Sequence, residues 1–416
     1  MKKVRIGVMG VYRGAAMIHY CKASEDAEVV AICDKNEEML AEQKKKMGES
    51  IVCYPSFEEF IQHDMDAVVL ANYATEHAPF AIRCLNRGLH VFSEVLPVQT
   101  MKEAVELVEA VERTGKIYAY GENYCYMLGS ARMKKLYREN VIGEFEYGEC
   151  EYVHNCEPIW PRITYGERDH WRNNMYATFY CTHSIGPLIH MTGLRPVSVT
   201  GFEGTQIGRK LRMGSKSGSF GIEMITLENG GIIKSIHGGL YKNSIWYSAY
   251  GSKGRMETAR EDAEAGNCDT LYVNCDEYSG QYRSDSLSTL DLKAEQNENA
   301  SNAGHGGSDY YSMHNFIQKI QGNPEADTID VYEALDMFLP GMFAYRSILQ
   351  GGIPVAIPNL REKGVRDIWR EDTMCTDPKV AGSQFIPPFS KGTPKIPDAV
   401  YEEIQQKWHE EQARNR

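Results

Sequence analysis

The sequence predicts an α/β chain in two parts, a doubly wound parallel sheet followed by a larger domain built on a mostly antiparallel sheet. Three observations carry this. Apolar strand runs and helical stripes alternate through the first 120 residues. A glycine-rich turn closes the first strand, and an aspartate closes the second. From Phe145 the pattern changes to successive strands separated by turn residues.

Val4 to Met9 is an apolar run ending at Gly10, and a stripe of Met17, Ile18 and Cys21 marks a helix that begins near Gly14. Glu28 to Cys33 reads as the second strand, closed by Asp34, and Glu37 to Met47 as a charged surface helix. Ala67 to Leu70 is a third strand. Ala78, Ile82 and Leu85 then share one helical face, with Gly88 as the stop. His90 to Ser93 forms a fourth strand, Ala104, Val108 and Val111 line a helix before Gly115, and Ile117 to Tyr120 closes the series. Short connections between such elements require parallel strands with right-handed crossovers.

The first turn governs what this sheet binds. Glycine lets the backbone approach a pyrophosphate, whose charge then rests on amide hydrogens at the helix N-terminus. Gly7, Gly10 and Gly14 are present, although a strict GxGxxG frame starting at Gly10 meets Tyr12 and Ala15 instead of glycine. Asp34, 24 residues after Gly10, strengthens the motif. A carboxylate at the end of the second strand accepts hydrogen bonds from ribose hydroxyls and repels a ribose phosphate, so NAD is the expected cofactor. Gly10, Tyr12, Arg13, Gly14 and Asp34 are its expected contacts on this side. A sheet of the same build that binds no nucleotide is the alternative.

In the second half, Phe145–Tyr152, Pro196–Phe202, Phe220–Leu227, Gly231–His237 and Trp246–Gly251 read as strands, and Asn229-Gly230-Gly231 as a hairpin turn. Between about Thr258 and Asn302 the chain is acidic and polar, the composition of an insertion or mobile loop. Pro387-Pro388, Pro394 and Pro397 precede a charged helix from Asp398 that keeps Val400, Ile404 and Trp408 on one face. Such a tail is expected to wrap the body or a neighbouring subunit. The expected division is a nucleotide domain over 1–122, a sheet domain over 123–352 with the insertion at about 258–302, and a tail over 353–416.

With 45 basic and 57 acidic side chains the chain carries a formal charge of −12, which argues against nucleic acid as a partner. No stretch approaches the roughly 20 apolar residues that span a bilayer, so no membrane role is expected. Lys2 and Lys3 precede a short apolar run, but Arg5 interrupts it and no cleavage segment follows, so a cytoplasmic protein is expected. The 11 cysteines are scattered without CxxC spacing, a pattern that favours neither a disulfide framework nor a zinc site. No metal is expected.

Asn72, His77, the run Gly88-Leu89-His90-Val91-Phe92-Ser93-Glu94 and Asn123 resemble the Gfo/Idh/MocA oxidoreductases, and the resemblance extends over nearly the whole chain. It implies an N-terminal Rossmann domain plus a C-terminal α+β domain with a large, mostly antiparallel sheet, and an active site between them. It also adds Asn72, His77, Glu94 and Asn123 to the cofactor-binding set. Most members follow the strand with Glu-Lys-Pro, the lysine lying near substrate and nicotinamide, whereas this chain reads Glu94-Val95-Leu96-Pro97. The family's aspartate four residues before a histidine is missing too, from Phe179-Tyr180-Cys181-Thr182-His183-Ser184-Ile185-Gly186-Pro187. One branch is similar in both respects. The NAD-dependent glycosidases typified by alpha-N-acetylgalactosaminidases carry Glu-Val-Pro and Tyr-Pro-Thr-His-Gly-Leu-Gly-Pro at these places. Gly304-His305-Gly306-Gly307-Ser308-Asp309-Tyr310 and Asp330-Val331-Tyr332-Glu333-Ala334 resemble two further stretches of that branch. What this implies is a glycoside hydrolase in which a sugar hydroxyl is transiently oxidised, the aglycone is eliminated, water adds, and the ketone is reduced again.

Such a route needs a base poised near neutral pH, and histidine, with an unperturbed pKa of about 6.5, suits it. His183 is the expected base. Tyr180, three residues earlier, could share the proton transfer if the backbone between them turns like a helix. Its phenol would need a lowered pKa, since a free phenol titrates near ~10. Glu94 completes the expected catalytic set. The expected substrate contacts are Tyr126, which with Tyr124 follows Asn123 at the domain junction, then His170, Trp171, Arg172 and Thr182, and finally His305 and Asp309. His170-Trp171-Arg172 offers an aromatic face and a fork of donors to a sugar, or equally an anchored surface loop. Asp309 could instead cap a helix. Trp246, Tyr247 and Tyr250 read as sheet packing, and Cys181 draws interest because it lies beside the base. Two other functions stay open, an NAD-dependent sugar or polyol dehydrogenase and a catalytically silent ligand-binding member. A small-molecule glycoside, and further copies of the chain meeting through the C-terminal sheet domain, are the expected partners.

Overall fold

A computed structural model of the protein describes residues 2–48, 50–260, 268–275, 288–293, 296–300 and 303–414. Strands β1 (Val4–Met9), β2 (Ala27–Cys33), β3 (Val52–Tyr54), β4 (Ala67–Leu70), β5 (His90–Ser93) and β6 (Tyr118–Tyr120) form one parallel sheet in the order β3-β2-β1-β4-β5-β6. The order in which successive strands are added reverses between β1 and β4, and the crevice at the strand C-termini there is where doubly wound sheets bind ligands. The short β3 is missing from the sequence reading because its three residues, none of them fully buried, show no periodicity. Helix ends follow local chemistry. Thr100 and Glu103 form a capping box at the start of the helix Met101–Thr114, and Gly115, at φ 63°, closes it.

The second sheet comprises β7 (Phe145–Val153), β8 (Pro196–Glu203), β9 (Phe220–Leu227), β10 (Ile232–Gly238), β11 (Ser244–Gly251), β12 (Gly254–Thr258), β13 (Thr270–Cys275), β14 (Ser288–Asp291) and β15 (Val355–Ala356). Their order is β14-β13-β12-β11-β7-β10-β9-β8-β15, with antiparallel neighbours except for the parallel pair β7 and β10. Alternating burial along β9 and β10 turns Ile225 and Ile233 inward. The helices Thr182–Thr192 and Val331–Leu349, buried along most of their lengths, cover that inner face. The stretch expected to be an insertion instead adds β13 and β14 to the sheet edge. Leu271, Val273 and Cys275 alternate inward there, a short signal submerged in polar sequence. Other parts of that expected insertion, residues 261–267, 276–287, 294–295 and 301–302, lie outside the described residues.

Later segments return to the nucleotide sheet. The helix Ser308–Ile320 sends Met313, Phe316 and Ile317 into the core formed by Ile6, Val8 and Val69, with Phe316 5.6 Å from Phe92. In the tail, fully buried Arg366 donates to both carboxylate oxygens of Glu112 at 2.7 and 2.5 Å, and Arg370 pairs with Glu109 at 2.6 Å. The C-terminal helix Asp398–Arg414 docks on its own chain, where Ile404 joins Trp160 and Met213 in a small core. Gly166, at φ 67°, makes the close approach possible, because a methyl group there would overlap the backbone of Gln405. Among the described residues no helix is long and apolar enough to cross a membrane.

Candidate active site

His183 lies in the first turn of the helix Thr182–Thr192, nearly buried among the rings of Tyr124, Tyr152 and Tyr180 at centroid distances of 4.3, 4.7 and 5.1 Å. Its Nδ1 is 2.6 Å from Oε1 of Glu122, a fully buried carboxylate two residues beyond β6. Tyr247, from β11, donates its hydroxyl to the His183 carbonyl at 2.6 Å. A carboxylate only accepts, so Nδ1 carries the proton toward Glu122 and Nε2 keeps the lone pair that a base requires. This arrangement of carboxylate, imidazole and free nitrogen fits general-base work.

The backbone between Tyr180 and His183 does turn like a helix, with Cys181 at φ −80° and ψ −18°. The Tyr180 ring stacks 6.1 Å from Trp171, and the Arg172 guanidinium lies 4.3 Å over Trp171 and 5.3 Å from Tyr180. Burial pushes the Tyr180 phenol up, and Arg172 only partly offsets it. The lowered pKa expected for Tyr180 is therefore corrected, and its hydroxyl stands as a proton donor. Cys181 points the other way, its thiol donating to the carbonyls of Met337 and Phe338 at 3.5 and 3.6 Å, and burial pushes it well up. It is a core residue. Thr182 is fully buried beneath the Tyr120 hydroxyl at 3.3 Å and turns away from the expected substrate side.

An ionic cluster joins residues far apart in sequence. Arg13 donates to Asp309 at 2.8 and 3.0 Å and pairs with Glu94 at 2.8 Å, while Asn123 Nδ2 donates to Asp309 at 2.9 Å. His305 Nδ1 lies 3.0 Å from the same carboxylate. Burial raises Glu94 despite Arg13. Burial works on Asp309 as well, but Arg13 and His305 outweigh it and hold this carboxyl well below the usual range. Its side chain caps no helix, since the helix Ser308–Ile320 starts from Gly307 without a side-chain cap.

Gly10, Tyr12, Arg13, Asp34, Asn72 and Glu94 line one continuous cleft, faced by His170, Trp171, Arg172 and Tyr180. At φ 86° Gly10 packs so closely that a methyl group would overlap the backbone of Ala71, and Gly14 is equally tight against the Gly10 carbonyl. Asp34 accepts from the backbone N–H of Val11 and of Asn36, both at 2.9 Å, so its carboxylate is held beside the glycine turn. Asn72 Oδ1 and Asn123 Oδ1 are buried acceptors without a protein partner. Close-packed glycines, a strand-end carboxylate and unfilled acceptors fit an NAD dinucleotide.

Other expected contacts sit elsewhere. His77 lies beneath the cleft, Nδ1 donating to the Leu96 carbonyl at 2.9 Å, and burial lowers its pKa to about 4, so it is a neutral prop for the Glu94–Leu96 turn. Tyr126 faces away, its hydroxyl on the Asp327 carbonyl at 2.8 Å and its ring 5.6 Å from His190. His170 does line the cleft, but burial and then Arg172 bring its pKa to about 3, and its Nδ1 accepts from the Arg172 N–H at 3.2 Å. The sequence reading missed Glu122, Tyr152, His154 and Trp408. Glu122, like Glu94, stands just past the end of a parallel strand, the one signal that pointed to it. His154 bonds the Tyr152 hydroxyl at 3.2 Å and is kept below its usual pKa by burial and then by His183.

Residues 4–122 match the oxidoreductase family with an NAD-binding Rossmann fold, Gfo/Idh/MocA, and residues 272–365 match the C-terminal domain of glycosyl hydrolase 109. The chain joins a Gfo/Idh/MocA Rossmann domain to a glycosyl hydrolase 109 C-terminal domain. The Rossmann domain is thus an NAD-binding one. A glycosyl hydrolase family 109 protein 2 from Shewanella sp. (strain ANA-3) is 30% identical over 202 residues, 45% of this chain and 44% of that protein. The match therefore spans less than half the length of that curated relative. An alpha-N-acetylgalactosaminidase from Tannerella forsythia is 26% identical over 383 residues, 80% of each chain. Among solved structures, an oxidoreductase from Agrobacterium radiobacter in complex with NAD+, L-tartaric acid and magnesium superposes with a TM-score of 0.71 at 14% identity, covering 85% of this chain and 98% of that one. The WlbA dehydrogenase from Bordetella pertussis, in complex with NADH and UDP-GlcNAcA, gives 0.70 at 18% identity, covering 86% and 98%. Both share the fold of this chain.

Proposed function

We propose that this chain is an NAD-dependent glycoside hydrolase that oxidises a sugar hydroxyl transiently, releases the aglycone by elimination, and restores the sugar after water adds. The observation that carries the reading is the base. His183 is held by Glu122 at 2.6 Å beside the cleft, and Val95 stands where the usual dehydrogenase lysine would be. When bound, NAD supplies the acceptance and return of a hydride at the sugar ring. His183 Nε2 takes the proton from the carbon next to the ketone, and Glu122 balances the imidazolium that results. Tyr180, kept protonated by burial, donates a hydrogen bond to the sugar oxygen that becomes the ketone, while the proton lost from that hydroxyl passes to solvent and returns when the ketone is reduced. Trp171 and Arg172 present an aromatic face and donors to the ring.

Nitrophenyl glycosides distinguish the readings. Aglycone release without net NADH is the expected result. Net NADH accumulation with free sugars would favour the dehydrogenase, and neither response would favour the silent member. The outer face of the second sheet exposes Phe202, Ile232 and Tyr250, which supports association of copies of the chain through that sheet and is tested by light scattering.

A further inference from the structure

The cleft continues past the glycine turn. Beyond Asp34 it is walled on one side by Asn36 and Met39, and on the other by Ile163, Tyr165 and Trp408. Trp408 belongs to the C-terminal helix, far in sequence from the nucleotide sheet, and its ring stands 5.1 Å from that of Tyr165 at 64°. We propose that Trp408 and Tyr165 complete an aromatic pocket for the adenine of NAD, so that the C-terminal helix is part of the cofactor site.

The position is fixed by chemistry already described. Asp34 marks the ribose of the adenosine half, so the base extends from it toward Met39, Tyr165 and Trp408. A flat base with a polar edge suits such walls. The rings offer stacking faces, and Asn36 offers an amide to the edge. Both aromatic residues are held firmly. Tyr165 adopts a left-handed φ of 57°, rare for a residue with a Cβ. The helix carrying Trp408 is anchored by the Tyr401 hydroxyl on the Gly214 carbonyl at 3.0 Å, by an Arg168–Asp398 ion pair, and by the close approach of Gln405 to Gly166.

A second bridge closes the same wall. The Tyr73 hydroxyl donates to Glu167 at 2.8 Å, and the Lys35 ammonium sits 4.1 Å over the Tyr73 ring and 3.9 Å from Glu167. The adenosine end is thereby enclosed between the parallel sheet and a wall formed by residues 163–172 and the C-terminal helix.

The inference rests on NAD binding and not on glycoside hydrolysis, so it is read by binding alone. Calorimetric titration with ADP-ribose and with nicotinamide mononucleotide separates the two halves of the cofactor. Trp408→Ala is expected to weaken ADP-ribose by about tenfold, the scale of one base–aromatic contact, with nicotinamide mononucleotide unchanged. Trp408→Phe, which keeps an aromatic face, should recover most of the loss and controls for folding. NAD+ retained per chain after gel filtration should fall in parallel. A change in ADP-ribose affinity below threefold, an equal loss for both probes, or a Trp408→Phe variant as weak as Trp408→Ala would overturn the proposal.

Discussion

Glu122 and His183 meet at 2.6 Å across the junction of the two sheets, so a carboxylate at the end of β6 orients a base carried by a helix of the other domain. Glu122→Gln keeps the shape but removes the charge that balances the imidazolium. It should lower kcat by about 100-fold or more with little change in KM. His183→Ala should cost roughly 1,000-fold. Steady-state kinetics across pH checks both. A His183→Ala variant with full turnover would falsify the assignment of the base.

Arg13 neutralises two buried carboxylates at once. Arg13→Met removes the cation shared by Glu94 and Asp309, leaving Asp309 with Asn123 and His305 alone, and should destabilise the fold by about 3–5 kcal/mol in urea unfolding. Adding Asp309→Asn and Glu94→Gln to that variant should recover part of the loss. If the single variant unfolds at the wild-type midpoint, the cluster does not hold the loop.

His77, at about 4 by burial, stays neutral in the folded chain while the unfolded chain protonates it below ~6.5. The unfolded state therefore binds more protons in this window. The stability this group contributes is intact above pH 6.5 and is lost as the pH falls toward 4. Glu103, held up at about 7 by burial, acts with the opposite sign, so the readout is a difference. Relative to the wild type, His77→Gln should regain up to about 3 kcal/mol between pH 7 and pH 4, measured by denaturant unfolding at each pH. A constant gap across that range would contradict the assignment.

Gly166→Ala should undock the C-terminal helix, since the added methyl group meets the Gln405 backbone. Limited trypsin digestion should then cut at Lys395 and Lys407 faster than in the wild type, while the two sheets remain intact. An unchanged digestion pattern would mean that the helix is held without that close approach.

The nucleotide sheet was legible because its strands are buried on both faces and read as apolar runs, as at Ala67–Leu70. β13 was not, because only Leu271, Val273 and Cys275 carry its alternation inside a polar stretch. Motifs singled out His183, Arg13, Asp309 and Arg172 as candidates, but not the direction in which neighbours point. Thr182 and His183 are adjacent on one helix, about 100° apart around its axis, so Thr182 meets Tyr120 while His183 meets Glu122 and Tyr180. Glu122 and Trp408 escaped notice because their roles exist only through partners distant in sequence. Tyr126 and His77 sit next to site residues in sequence and support them from behind.

The helix Ser308–Ile320 covers the sheet face formed by Ile6, Val8, Val69 and Phe92, yet it emerges from the ribosome long after β6. At synthesis rates of about 5–20 residues per second, that apolar face waits roughly 10 to 40 s for its lid. A fragment ending near residue 122 leaves that face uncovered and should aggregate when expressed alone, although a family domain is matched over 4–122.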